Sequence, residues 1–560
     1  MLRRSARLWR PVANAAAATA GTPTLALATT TTLTRTVRRH AASTAATSPP
    51  LPLRTGRPRL VVVGTGWGAA SLLRRVDPRL YDLTVISERN HMVFTPLLSS
   101  VTVGTLSPSS VAVHIADIQP ALRQGGDNPA NAFVTATAVN VLPARRAVEC
   151  VSADGLKFFV EYDRLVLAAG SQGSTFGVPG VTEHALPLRD VRHAEAIRAR
   201  LIRSVALAGV PGRRSADAQR LLSLVIVGGG PTGVELAGEV ATLVRRDLAR
   251  VYPSRSRRFS IALVEARELL GTFDAGLRQY AAAQLTRRGV TLVRGTVRRV
   301  TQQGVELADG ASLPAATVVW STGVGPTPFT LALPFAKTPI GRLAVDGALR
   351  ALQEPPGWDE EAEAAAGASS NTATTPPAEG DRPPAPPGAT SIGFDEAELP
   401  RPSRWVPVPG VYALGDCCAD VDAPLPALAQ VAEQQGAWLA RRLNEEVRPV
   451  GAGGGAGDVF AYRHFGSMAT TGGLSAILQL DLPRRPGGKE GGPGAGADAG
   501  GRDGAGADAW LPRRLRFRGF FSWLAWRSAY ATRLGSFRKR ASVLFDWTQT
   551  MLFGRDLSQW

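Results

Sequence analysis

Short runs of aliphatic and β-branched residues alternate with longer stretches of helical spacing through most of the chain, the pattern of parallel α/β structure. The runs predict strands over Arg59–Gly64, Leu83–Ser87, Leu165–Ala168, Leu224–Val227, Ser260–Glu265, Thr317–Ser321 and Val411–Ala413, with helices over Ala70–Arg75 and Val234–Arg245. Three of the strands run into glycine-bearing turns, where α/β proteins bind ligands. Two stretches interrupt the pattern. From about Glu354 to Ser391 and from Pro483 to Ala509 the chain is too poor in apolar side chains to offset the entropy of ordering, so both are expected to be disordered inserts. No run approaches eighteen consecutive apolar residues, and no bilayer-spanning helix is expected.

The first turn reads Leu60-Val61-Val62-Val63-Gly64-Thr65-Gly66-Trp67-Gly68-Ala69. A buried strand, a tight turn and a helix N-terminus present backbone N–H groups to a pyrophosphate; Gly64 permits the turn, Gly66 the close approach, and Ala69 takes the third place of the pattern. Glu88 ends the next run, where an acid binds a ribose hydroxyl pair. The second turn, Leu224 to Gly233, carries Gly228, Gly230 and Gly233, and its following strand ends at Glu265. A carboxylate there accepts from the 2′-hydroxyl of NAD and repels the 2′-phosphate of NADP, so NADH is the expected donor. Two such motifs about 160 residues apart pair a fixed FAD with an exchangeable nicotinamide. The run from Pro409 ends in Gly415-Asp416, where the Asp can bond a flavin ribityl hydroxyl or cap a following helix. Gly170 and Gly323, behind two further strands, complete the cofactor-binding candidates. The expected fold is α/β with two Rossmann-like dinucleotide-binding domains.

Charge changes the picture at the ends. The 560 residues hold 64 Lys+Arg against 46 Asp+Glu, a net charge of +18 that first suggests nucleic acid. Residues 1–50 hold seven arginines and no acid, and residues 510–560 hold ten Lys+Arg and two Asp, which leaves only +3 for everything between. A near-neutral body gives nucleic acid no surface. The N-terminal segment, rich in Arg, Ala, Thr and Ser and free of Lys, has the composition of an organelle transit peptide, mitochondrial or plastid. Toward the C-terminus, Phe520, Phe521, Trp523, Leu524, Trp526, Leu544, Trp547, Met551 and Leu552 fall at helical spacing among arginines. That pattern suits a monotopic anchor with aromatics at the acyl boundary and cations at anionic headgroups; core packing and single-stranded nucleic acid are the alternatives. Three cysteines, Cys150, Cys417 and Cys418, match no disulfide framework or metal spacing, and no metal site is expected.

On these motifs the chain resembles the type II, or alternative, NADH:quinone oxidoreductases over most of residues 59–345 and 405–560. Glu88 to Leu98, Gly228 to Glu239, Ser321 to Pro326, Ala429 to Gly436, Phe545-Asp546-Trp547 and Leu552 to Asp556 carry the resemblance. It implies a pyridine nucleotide-disulfide reductase-like fold, FAD as cofactor, and hydride transfer from NADH to FAD. Two electrons then pass to a lipid-soluble quinone without proton pumping. It implies further that Gln430 and Gln434 line the quinone site, where an amide hydrogen-bonds a quinone carbonyl without adding charge. Glu235 would face the nicotinamide and flavin, relaying protons or positioning the rings. A plainer account stays open for each: a solvated helix face for the glutamines, and for Glu235 a carboxylate favoured by the dipole of the helix's first turn. No Asp-x-Asp-x-Asp-Gly loop is present, and calcium regulation is not expected.

The expected organisation is a transit peptide over 1–50, FAD-binding segments over 57–190 and 405–480, the second carrying the quinone-site helix, and an NADH-binding domain over 220–345. A low-complexity insertion over 350–404, a linker over 481–509 and anchoring helices over 510–560 complete it. The resemblance places such an enzyme on the mitochondrial inner membrane, or on a plastid thylakoid, as a peripheral protein that can homodimerise. A reductase for soluble acceptors would leave the C-terminal segment without a purpose. A non-enzymatic flavoprotein similar to apoptosis-inducing factor would need positive charge on the body.

Overall fold

The computed structural model describes residues 54–123, 128–355, 405–447, 459–481 and 514–558. The expected transit peptide, nearly all of the 350–404 insertion and nearly all of the 481–509 linker lie outside the described residues.

One sheet holds Arg59–Val63 parallel to Asp82–Ser87 on one side and to Arg164–Leu167 on the other. Ala132–Thr135 and Val406–Ala413 extend it in the same sense. Leu60, Val61 and Val62 have no exposed surface, because both faces of a parallel sheet are covered; that is why the run is apolar throughout instead of alternating. The second sheet is parallel in every pairing: Leu186–Pro187, Thr317–Trp320, Ser223–Val227, Ser260–Glu265 and Val290–Arg294, in that order. Each sheet thus supplies one dinucleotide turn.

Four boundaries differ from the expectation. Leu343–Val345, assigned to the NADH-binding domain, hydrogen-bonds to Cys418–Asp420 within the first sheet. Arg350–Gln353, assigned to the insertion, pairs with Val406–Ala413 in that same sheet. Both strands are short; they pair antiparallel with each other, and each takes its other partner from beyond residue 405, which local pattern cannot reveal. Arg514–Gly519 is a strand at the start of a segment expected to be helical; it pairs with Ala476–Asp481, which pairs with Ser467–Thr470. The helix after the second glycine turn begins at Pro231, not Val234, because proline at the first position has its φ preset and lacks an N–H that the helix could not use. Glu235 therefore lies beyond the first turn, and the helix dipole does not account for it.

The Ala429–Val447 helix packs along Trp67–Arg75 with backbone nearly touching: a Cβ on Gly436 would stand 2.2 Å from the carbonyl oxygen of Gly68 and 3.0 Å from the nitrogen of Leu72. Two C-terminal helices, Phe520–Arg533 and Phe537–Phe553, follow the small antiparallel sheet. Among the described residues no helix is long and apolar enough to cross a membrane. Gly436→Val should lower stability by about 1–3 kcal/mol through overpacking. An unchanged thermal midpoint would show that the two helices can separate without cost.

Candidate active site

A cavity of about 1060 Å³ opens at the carboxyl ends of the first sheet's strands, where Gly64, Glu88, Gly170, Gly415 and Asp416 stand on its wall. Gly64 has φ +107°, and a Cβ there would lie 2.3 Å from the carbonyl oxygen of Ala168, so the turn admits only glycine. Beside Gly66 a Cβ would meet nothing within 4 Å, and no side chain caps the helix that starts at Trp67. This open ground before a helix N-terminus fits a pyrophosphate. Ala69 is fully buried in the first turn of that helix. Glu88 accepts a 2.8 Å hydrogen bond from the Thr137 hydroxyl, which aims its carboxylate along the cavity rim. Asp416 accepts from the Ser171 hydroxyl at 2.6 Å, with Arg189 3.9 Å away and donating to the same hydroxyl at 3.0 Å. It lies in the single turn Gly415–Cys417, which leads into the strand Cys418–Asp420, so it caps no following helix. A phosphate cradle, a carboxylate for a ribose diol and a carboxylate for a ribityl chain, all on one elongated cavity, fit FAD.

The second turn repeats the geometry. Gly228 has φ +110°, and a Cβ on Gly233 would lie 1.9 Å from the carbonyl oxygen of Gly228. Gly230, like Gly66, faces open space. Glu265 stands over this turn, its carboxylate accepting from the backbone N–H of Gly229 at 2.6 Å and of Arg267 at 2.9 Å. The flavin-side cavity reaches this half of the molecule through Trp320, Val324 and Phe329. Gly323 is not on the wall; its carbonyl accepts from Ser174 N–H at 3.0 Å where Gln172–Gly173 pairs with Val324–Gly325.

Gln430 and Gln434 also lie off the cavity wall, to which their helix contributes Ala429 and Ala432. Both amides clasp main chain. Gln430 donates to the carbonyl of Gly466 at 2.9 Å and accepts from Phe465 N–H at 3.3 Å. Gln434 donates to the carbonyl of Arg463 at 2.8 Å and accepts from its N–H at 3.0 Å. Glu235 is 6% exposed and accepts from Thr470 N–H at 3.2 Å. Burial pushes its carboxyl up to about 8, the charge of Glu239 one turn on adds to the rise, and the Thr470 hydrogen bond opposes it. It is absent from the flavin-side wall and belongs instead to the seam between the NADH-side helix and the C-terminal helices.

The pyridine nucleotide-disulphide oxidoreductase family model matches residues 58–354, and the NDH2 C-terminal domain model matches residues 505–556. The internal alternative NAD(P)H-ubiquinone oxidoreductase A1, mitochondrial, of Solanum tuberosum is 37% identical, covering 90% of this chain and 88% of its own length. The chain belongs to the alternative NADH:quinone oxidoreductase family. The protein of the same name from Arabidopsis thaliana is 36% identical over 90% of this chain and 86% of its own. NDH2 from Plasmodium falciparum, solved in complex with NADH, shares the fold with a TM-score of 0.68 at 18% identity, over 90% of this chain and 100% of that one.

Within this alternative oxidoreductase, several residues that shape the site belong to no motif. Ser171 and Arg189 brace Asp416, and Gln435 accepts from Gly415 N–H at 2.7 Å to hold the turn beneath it. Tyr530 lies close enough to Glu235 for that carboxylate to add to the upward push that burial gives its phenol. The pairs Ser171–Asp416 and Tyr530–Glu235 join residues hundreds of positions apart, and only the run of polar residues behind the Leu165–Ala168 strand offered a signal.

Because the Glu235 carboxyl titrates near 8 when folded and near 4.5 when unfolded, the folded chain keeps a proton that the unfolded chain loses first. Stability should therefore fall as pH rises through that window. Glu235→Gln should flatten the slope of thermal midpoint against pH between about 5 and 8. Equal slopes in the parent and the variant would assign the retained proton to another group.

Proposed function

We propose that the chain is a non-proton-pumping, FAD-dependent NADH:quinone oxidoreductase that works from a membrane surface. The observation that carries this reading is one dinucleotide turn on each of two sheets, with a cavity running from the first turn to Trp320, Val324 and Phe329 beside the second. FAD, when bound, supplies the hydride acceptor for NADH and the two-electron donor for the quinone. The chain does the rest. Glu88 takes a ribose diol, Asp416 with Ser171 and Arg189 takes the ribityl chain, and Trp67–Arg75 turns its N-terminus to the pyrophosphate. Glu265 favours NADH, because the 2′-phosphate of NADPH would meet a carboxylate already fixed by two backbone N–H groups. Gln430 and Gln434 each retain a second amide N–H for a quinone oxygen while holding the 463–466 chain in place. Glu235 holds a proton near neutral pH beside the C-terminal helices, where a reduced quinone must gain two.

A quinone dissolved in lipid requires the enzyme to reach lipid. On the helix Phe537–Phe553, Phe537 (85% exposed), Leu544, Phe545, Leu552 and Phe553 lie open, and Phe521 (80% exposed) and Leu524 do so on the helix before it. Apolar faces of this size bordered by arginines suit an interfacial helix pair. The two plant relatives are named as mitochondrial proteins, and we place this chain on the mitochondrial inner membrane as a peripheral protein.

Purified full-length protein in lipid should be yellow and should oxidise NADH faster than NADPH when a short-chain quinone is supplied. Colourless protein, or turnover with soluble dyes alone, would overturn the assignment. Deleting the segment from Trp510 would also remove the Arg514–Gly519 strand, so surface substitutions test the anchor more cleanly. Leu544→Asp with Phe545→Asp should release the protein from vesicles into the supernatant on sedimentation without changing its melting temperature. Undiminished vesicle binding would refute the docking face.

A further inference from the structure

The last described turn of the chain carries a buried cation that no nucleotide or quinone motif explains. Arg555 is 9% exposed, and its guanidinium donates to Glu239 at 2.9 Å, to Asp247 at 2.8 Å and to the Thr105 hydroxyl at 2.9 Å. Glu239 and Asp247 are buried too, on the helix Pro231–Thr242 and the turn that continues it. Two buried carboxylates face one arginine. A second cation, Arg527, lies stacked between the rings of Trp523 at 4.1 Å and Trp547 at 4.4 Å, near enough to feel both Glu239 and Arg555. Glu235 stands one helical turn before Glu239, on the same buried face. Its charged and titratable neighbours are Glu239 on its own helix and Tyr530 on the helix Phe520–Arg533, while Arg527 on that helix and Arg555 on the tail act on Glu239. Thr470, on the strand packed against it, contributes a neutral N–H.

We propose that Arg555 is a positioning residue for proton delivery: by pairing with Glu239 it weakens the field that this carboxylate, one turn away, exerts on Glu235, so that the protonation of Glu235 depends on the C-terminal tail being seated. The inference rests on Glu235 acting as a proton carrier. Its physical basis is that a buried carboxylate raises the proton affinity of a neighbouring carboxylate unless a cation cancels it. Without Arg555, the charge of Glu239 is offset less and repels the ionised form of Glu235 more strongly. Without Glu239, the charge that raises Glu235 is gone and its ionised form is favoured. The two changes therefore act in opposite directions, which a mere loosening of the tail cannot do.

The test is the alkaline midpoint of quinone reduction by the holoenzyme in lipid, together with the infrared band of the protonated carboxylic acid that Glu235→Gln removes. Arg555→Gln should move both midpoints up by about one pH unit, and Glu239→Gln should move them down. The double variant should return close to the parent, and Arg555→Lys should restore much of the parent profile. Lower rates with both midpoints unmoved, or shifts of the same sign in both single variants, would overturn the proposal. If the alkaline limb persists in Glu235→Gln, the role of Glu235 in turnover fails; the infrared midpoints then still decide whether Arg555 governs its proton.

Discussion

The active site exists because main chain approaches main chain where a side chain will not fit. At Gly64 and at Gly228 the backbone turns within contact of a neighbouring strand's carbonyl, and at Gly436 one helix rests on another with no side chain between them. At the two turns the contact draws the carboxyl end of a strand and the N-terminus of a helix to one place, and open space is left beside Gly66 and Gly230. Donors and room for an anion therefore come from the backbone. Side chains complete the surroundings of each turn: Glu88 and Asp416 stand on the wall of the first cavity, and Glu265 stands over the second turn.

A second constraint governs the C-terminal segment. Its helices leave large apolar side chains open to solvent on one face, so their seating on the body cannot rely on apolar burial alone. Polar anchors supplement it. Asp546 accepts from the N–H of Ser107 and the hydroxyl of Ser110, the Thr550 hydroxyl donates to the carbonyl of Thr105, and Arg555 reaches Glu239 and Asp247. A buried pair of this kind is weak evidence for stability, since its desolvation offsets much of its attraction. Its geometry is specific nonetheless. The tail can seat in only one register, and that register puts Trp526 and Tyr530 beside the helix that carries Glu235.

Strands built from one uninterrupted aliphatic run were legible to within a residue: Arg59–Val63, Ser223–Val227 and Ser260–Glu265 lie where the pattern placed them. Short strands that join a sheet through a distant partner were not, Leu343–Val345 and Arg350–Gln353 among them, although these two also pair with each other. The site divides the same way. Gly64, Glu88 and Asp416 were readable because each sits at a fixed offset from its own strand. Ser171, Arg189, Gln435, Tyr530 and Arg555 were not, because each acts on a residue that the chain reaches only after long detours.

The sequence by itself determined the two glycine turns, the acids that follow them, the near-neutral body with basic ends, and the amphipathic spacing of the C-terminal helices. All of these are local, set by backbone conformation and by side-chain period within one element. Tertiary structure alone decided that Gln430 and Gln434 clasp the 463–466 chain, and that Glu235 lies beyond the helix's first turn in a seam shared with Tyr530. It alone decided that Arg555 compensates Glu239 across more than three hundred residues. The physical reason is that burial and charge compensation depend on distance in space, and a one-dimensional pattern carries no measure of that distance.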